Sequence, residues 1–213
     1  TIEDPIEYNL EGINQSQVHE EIDLTFANIL RSILRQDPNI IMVGEIRDKE
    51  TAEIAIRSAL TGHLVFSTLH TNDAASAVSR LTDMGIEPFL VTSSVRLVMA
   101  QRLVRRICSQ CKTKYDPDPS ILIDLGLQET KSDYYKGTGC DRCNQTGYKG
   151  RVALIELLTI NEGMASMIQN NSNSGKIKEL AIQNGMIPLR EVGIQKVKDG
   201  LTTVEEIYRE TVL

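Results

Sequence analysis

"IIMVGEIRD", Ile40 to Asp48, runs a short apolar stretch into a glycine, an acid and a charged pair. A short all-apolar run closed by a turn residue reads as a strand covered on both faces. Before it, "LTFANILRSILRQ" places Phe26, Ile29, Leu30, Ile33 and Leu34 on a helical stripe, with Arg31 and Arg35 one turn apart on another face. Pro38 stops that helix. After it, the pattern predicts a helix from about Thr51 to Leu60 closed by Gly62, then a second buried strand in "LVFSTL". A further helix is expected from about Asp73 to Met84, ending at Gly85. Strand and helix in alternation predict the α/β class with a parallel sheet. Such sheets bind ligands beyond the carboxyl ends of their strands. Glu45 and His70 each follow a strand directly, so both are expected to point into one crevice.

Further along, a long helix is expected over Phe89 to Arg106, apolar on one side, with Arg102, Arg105 and Arg106 suiting its C-terminus. Residues 107–150 hold all four cysteines and read as a small, loop-rich insertion. From Arg151 the pattern is regular again: "RVALIELLTI" as a strand, then helices near 174–184, 188–199 and 204–211. Thr203-Val-Glu-Glu206 has capping-box spacing. The division predicted from sequence is a partial core over 1–106, a tetracysteine subdomain over 107–150, and a C-terminal strand and helical subdomain over 151–213.

Composition narrows the function classes. Apolar residues make up 41% of the 213 and charged residues 24%, as in an ordinary globular protein. A net charge of −6 and 4% aromatics disfavour nucleic acid as the main partner. The apolar runs fall far short of the ~20 residues of a membrane span, so no transmembrane segment is expected. Thr1-Ile2-Glu3-Asp4 is acidic where a secretory signal is basic. With no initiator Met, a piece of a longer protein is expected. Four cysteines in two close pairs point to a metal in a reducing cytosol. Cys108-x-x-Cys111 and Cys140-x-x-Cys143 lie 28 residues apart and offer four thiolates, a closed structural zinc shell. Two disulfides or four idle thiols are the alternatives.

Taken singly, the remaining motifs are weak. A carboxylate at the end of a buried strand, such as Glu45, can hold magnesium through water or orient an attacking water. Many buried strands nevertheless end in Gly-Glu. A strand-end histidine such as His70 can meet a γ-phosphate, or be a solvated loop residue beside a helix capped by Thr71 or Asn72. Glu3, Asp4 and Glu7 in "TIEDPIEY" can supply a general base or form a solvated turn. Arg31, Arg35, Arg47 and Arg80 can clamp phosphates across a subunit boundary, and Arg31 and Arg35 fit a solvated helix face equally well.

In series the motifs carry more. "IEDPIEY", "LRSILRQDPNIIMVGEIRD", "TGHLVFSTLHTNDA", "DMGIEPF" and "AQRLVRRICSQC…GCDRCNQTGYKGR" closely resemble the type II secretion and type IV pilus assembly ATPases, over essentially the whole chain. The resemblance implies a RecA-like P-loop ATPase core with an Asp box at Ile2–Tyr8, an atypical Walker B at Ile40–Asp48 and a His box at Gly62–Asp73. By the same likeness Glu3 is the water-activating base, Glu45 the acid serving magnesium, and His70 the contact to the γ-phosphate. Arg31, Arg35, Arg47 and Arg80 match arginines that bind the ATP phosphates, in part across subunits. Cys108, Cys111, Cys140 and Cys143 match a zinc subdomain of the secretion and assembly branch, which pilus-retraction ATPases lack. ATP and Mg²⁺, a homo-hexamer, inner-membrane platform proteins as partners, and a cytoplasmic place beside the inner membrane are implied with it. One departure is large: no Gly-x-x-x-x-Gly-Lys-Ser/Thr loop occurs in the 213 residues. The expectation is therefore the C-terminal portion of a motor, inactive alone. A non-enzymatic zinc-ribbon adaptor is the alternative of another class.

Overall fold

The computed structural model describes residues 1–127, 133–170 and 172–211. They divide into two compact units, neither continuous in sequence: residues 1–98 with 159–181, and residues 99–158 with 182–213.

The first unit is built on a four-stranded sheet. Strands β1 (Ile2–Glu3), β2 (Ser16–Gln17), β3 (Ile40–Val43) and β4 (Leu64–Ser67) stand in the order β2-β1-β3-β4. All their pairings are parallel, with Ile2 opposite Val43 and Ile41 opposite Val65. Helix α1 (Phe26–Leu34) begins where the Thr25 hydroxyl accepts the Asn28 amide, and it buries Phe26, Ala27, Ile29 and Leu30. Helix α2 (Lys49–Leu60) is capped by Asp48, whose carboxylate accepts the Thr51 amide at 2.8 Å. Helix α3 (Ala74–Asp83) is capped by Asp73, not by Thr71 or Asn72. A carboxylate is also the stronger acceptor for this end of the helix dipole.

Two expectations give way here. The strands are covered on one face only: Ile41 and Val43 are buried, whereas Ile40, Leu64 and Phe66 are 63%, 52% and 54% exposed. An apolar run betrays no period, so it cannot reveal which face lacks a cover. The predicted helix over Phe89–Arg106 is instead a short helix, α4 (Pro88–Ser94), followed by a long strand, β5 (Leu97–Ile107). Val95 turns to an extended φ of −74° and ψ of 123°, which ends the helix. Outward Leu97, Met99 and Leu103 make β5 apolar on both sides. That blurs the period of two that marks a strand.

In the second unit, β6 (Lys112–Tyr115) pairs antiparallel with β7 (Tyr134–Gly137), and β5 pairs with β8 (Tyr148–Thr159). A short helix, α5 (Pro119–Asp124), lies within the insertion. Helix α6 (Glu162–Gln169) and most of α7 (Ser174–Gln183) return to the first unit. Helices α8 (Leu189–Lys198) and α9 (Val204–Thr211) close the second, as the C-terminal pattern predicts. Its core joins Val104, Leu125, Tyr134, Leu154, Val197 and Ile207, so the cysteine-bearing insertion shares one core with the C-terminal helices. Of the expected capping box, half forms. Thr203 Oγ1 accepts the Glu206 amide at 3.2 Å, while the Glu206 carboxylate turns to Arg105 and Arg209.

Candidate functional site

The carboxyl ends of β1, β3 and β4 bring the segments 2–8, 40–48 and 62–73 to one place. Gly44 makes this possible. A Cβ there would lie 2.9 Å from the Ile2 carbonyl oxygen, to which the Gly44 amide already donates at 2.7 Å. On the other side the Thr68 hydroxyl donates to the Gly44 carbonyl at 2.6 Å, and the Ile46 amide donates to the Thr68 carbonyl at 3.0 Å. Three chain segments are thus stitched together around one residue, by two backbone bonds and the Thr68 hydroxyl.

Glu45 sits at the centre. Its carboxylate accepts from Arg47 at 2.6 Å and from His70 Nε2 at 3.0 Å, and Arg47 also reaches Asp4 at 3.3 Å. Only 16% of the Glu45 side chain is exposed, against 88% of His70. The Arg47 guanidinium holds the Glu45 carboxyl below its ordinary value; burial opposes it less strongly, and the His70 imidazole adds a weaker push in the same direction as Arg47. Glu3 lies one residue beyond the Ile2–Val43 pair. Its carboxylate accepts from Gln15 at 2.9 Å and from the Thr1 hydroxyl at 2.5 Å. These bonds hold its carboxyl low as well.

Of the four arginines, only Arg47 enters this network. Arg31 pairs with Glu50 at 2.5 Å across exposed surface, and Arg35 donates to the Arg31 carbonyl and the Ser32 hydroxyl. Arg80 is exposed on α3 and makes no ion pair among the described residues. Asp4, one of three carboxylates in a segment able to supply a general base, pairs instead with Arg47. Gln15 is the residue that sequence reasoning misses, because it carries no local signal and its partner lies 12 residues away.

The second cluster is the cysteine lobe. The ligand atoms of Cys108, Cys111, Cys140 and Cys143 all lie within 4.8 Å of one another. The sulfurs are 3.8 Å apart for Cys108 and Cys140, 3.9 Å for Cys111 and Cys143, and 3.7 Å for Cys140 and Cys143. A tetrahedron with metal–sulfur bonds of about 2.3 Å has edges of about 3.8 Å, so the donor set fits a zinc-sized ion. A disulfide needs sulfurs about 2.05 Å apart, and none of the four is bridged. Backbone geometry shapes the lobe. Gly139 and Gly147 take positive φ, and the Cys108 amide donates to the Gly147 carbonyl at 2.9 Å, joining the two cysteine pairs. The Cys140 and Gly147 amides donate to the Cys143 sulfur at 3.2 and 3.3 Å. Burial pushes that thiol up, yet the amides prevail and bring it down to about 6. A sulfur so disposed is readily a thiolate ligand.

With these two sites in view, comparisons with known proteins give a consistent result. Residues 1–209 match the family described as Type II/IV secretion system protein. The type IV pilus assembly ATPase PilB of Thermus thermophilus is 53% identical over all of this chain, which spans 24% of that protein. The type II secretion system protein E of Pseudomonas aeruginosa is 51% identical over 99% of this chain and 42% of its own length. Among solved structures, the pilus retraction motor PilT with bound ADP superposes with a TM-score of 0.70 at 30% identity, over 99% of this chain and 51% of that one. The chain thus spans less than half the length of these curated relatives. No helix among the described residues is long and apolar enough to cross a membrane. A match across nearly the whole chain, with relatives at half identity, places it in the Type II/IV secretion system protein family.

Proposed function

We propose that this chain is the C-terminal portion of a hexameric motor ATPase that drives type II secretion or type IV pilus assembly. The observation that carries the proposal is the Asp4–Arg47–Glu45–His70 network at the carboxyl ends of three parallel strands. That is where such sheets hold a nucleotide. In this reading Glu45 serves magnesium through water, Glu3 activates the attacking water, and His70 meets the γ-phosphate. Arg47 screens the carboxylates until nucleotide arrives. Arg31, Arg35 and Arg80 lie outside that network, and the arginines' contacts to the ATP phosphates are made in part across a subunit boundary. The four cysteines hold zinc as a structural ion. The longer protein works on the cytoplasmic side of the inner membrane, against platform proteins seated there.

ATP needs a cradle that the 213 residues do not offer. Backbone amides and a lysine around the β- and γ-phosphates supply most of the electrostatic stabilisation of the transition state. β4 ends the strand order, and its outward residues are exposed. A strand carrying a phosphate loop fits there. The expected result is magnesium-dependent ATP turnover from a longer protein that includes such a loop, and none from the 213-residue chain. Turnover by the chain alone, or none by the longer protein, overturns the proposal.

A further inference from the structure

Asp73 lies outside the Glu45 network, yet it is a buried carboxylate engaged on both oxygens. One oxygen caps α3 through the Ser76 amide at 2.8 Å. The other takes the ammonium of Lys178 on α7, also at 2.8 Å and 105 residues further along the chain. The side chains of Asp73 and Lys178 are 11% and 33% exposed. Burial works against the Asp73 charge, and Lys178 and the Ser76 contacts overcome it, leaving the carboxyl below its ordinary value.

The same turn carries His70. Thr71 donates its hydroxyl to the Asp73 carbonyl at 3.2 Å. At the other end of the turn, Thr68 is bound to the Gly44–Ile46 segment by the two bonds described above. The turn is therefore anchored twice, once beside Glu45 and once on Lys178. Little else can hold the imidazole in place, because the His70 side chain is 88% exposed. Its position is set by the backbone of the turn and, among the described residues, by the one hydrogen bond to Glu45.

We propose that Lys178 is a positioning residue for His70: by fixing Asp73 it holds the His70–Asp73 turn where the imidazole reaches Glu45. Without the ammonium, a buried carboxylate either takes up a proton or turns toward water. Either change loosens the helix cap and the turn that leads into it. The consequence for turnover rests on the reading of His70 as the γ-phosphate contact. The positioning itself does not.

The experiment therefore has two arms. In the 213-residue chain, the imidazole NMR signals of His70 are followed beside those of His19 and His63, the other two histidines. Lys178→Met is expected to move the His70 signals and leave those of His19 in place, while Lys178→Arg keeps all three. Unmoved His70 signals in a folded Lys178→Met chain overturn the proposal. Should that variant fail to fold, Asp73→Asn keeps the cap acceptor but removes the charge that calls for Lys178. Against that background Lys178→Met should no longer affect His70, and any shift it still produces overturns the proposal. In the longer protein, Lys178→Met should lower kcat about 10-fold with little change in KM for ATP, within the ~100-fold that misplacement of a reacting group can cost. Lys178→Arg should restore most of it. Full turnover in Lys178→Met, with the His70 signals moved, overturns the reading of His70 as the γ-phosphate contact and leaves its positioning by Lys178 standing. A longer protein that hydrolyses no ATP in any form sinks the functional reading instead, and the NMR arm still decides the role of Lys178.

Discussion

At the scale of single residues, Glu45 shows how one side chain can be legible and its surroundings not. Its place after an apolar run was readable because a strand end followed by glycine leaves the next side chain at the sheet's carboxyl edge. Arg47 reaches it from two residues along the same segment; that His70 would also bond to it follows only from the pairing of β3 with β4, which aligns Val43 with Ser67. With its carboxyl held below the ordinary value of 4.5, the network is fully present above that pH and is lost as pH falls through the lower folded value. In the longer protein, Glu45→Gln keeps the shape and removes the charge that the proposed chemistry needs. Its turnover should fall by about 10²–10⁴-fold, more in kcat than in KM, and Glu3→Gln should behave alike. Steady-state kinetics over a range of ATP concentrations checks this. Near-normal kcat in Glu45→Gln would leave the residue as an acidic strand end paired with a surface arginine.

At the scale of elements, the cysteine lobe was the most readable part, because C-x-x-C spacing encodes a tetrahedral shell directly. What the spacing hid was the lobe's attachment. Leu125, Leu127 and Tyr134 pack with Leu189 and Val204 of the C-terminal segment, a long-range choice that no local pattern signals. The helix predicted over Phe89–Arg106 failed for a related reason. Arg105 does not dress a helix C-terminus; from β5 it grips the buried Glu206 through its backbone amide at 2.9 Å and its guanidinium at 2.7 Å. Arginines spaced for a helix end are indistinguishable in sequence from arginines on a strand with a distant partner. For the lobe itself, one tightly bound zinc per chain is expected in protein purified under reducing conditions. Cys140→Ser should lose most of that metal and loosen the β6–β7 hairpin, since Thr138 reaches back to the Cys111 carbonyl within the same frame. Elemental analysis with hydrogen exchange of residues 108–115 and 134–147 reads both. Metal-free protein with a protected hairpin would make the cysteines hydrogen-bonded thiols.

At the scale of the whole molecule, the apolar surface is unevenly spent. The face of the first sheet carrying Ile41 and Val43 is buried, while the opposite face of the same strands leaves Ile40, Leu64 and Phe66 more than half exposed. Strands of a parallel sheet are normally covered on both faces, and a contiguous apolar patch on a folded surface calls for an occupant. The proposed function supplies one: the phosphate-loop strand and the helix after it, lying against β4 and over this face. The same two substitutions, Leu64→Ser and Phe66→Ser, should then have opposite consequences in two settings. In the 213-residue chain they remove exposed apolar area, so self-association measured by sedimentation should fall and the fold should persist. In the longer protein they strike a packed interior. Losing large apolar side chains there costs about 2–5 kcal/mol each, enough to be plain in chemical denaturation. If the double variant leaves the longer protein as stable as before, that face is solvent-facing in both, and the phosphate loop must be seated elsewhere than against β4.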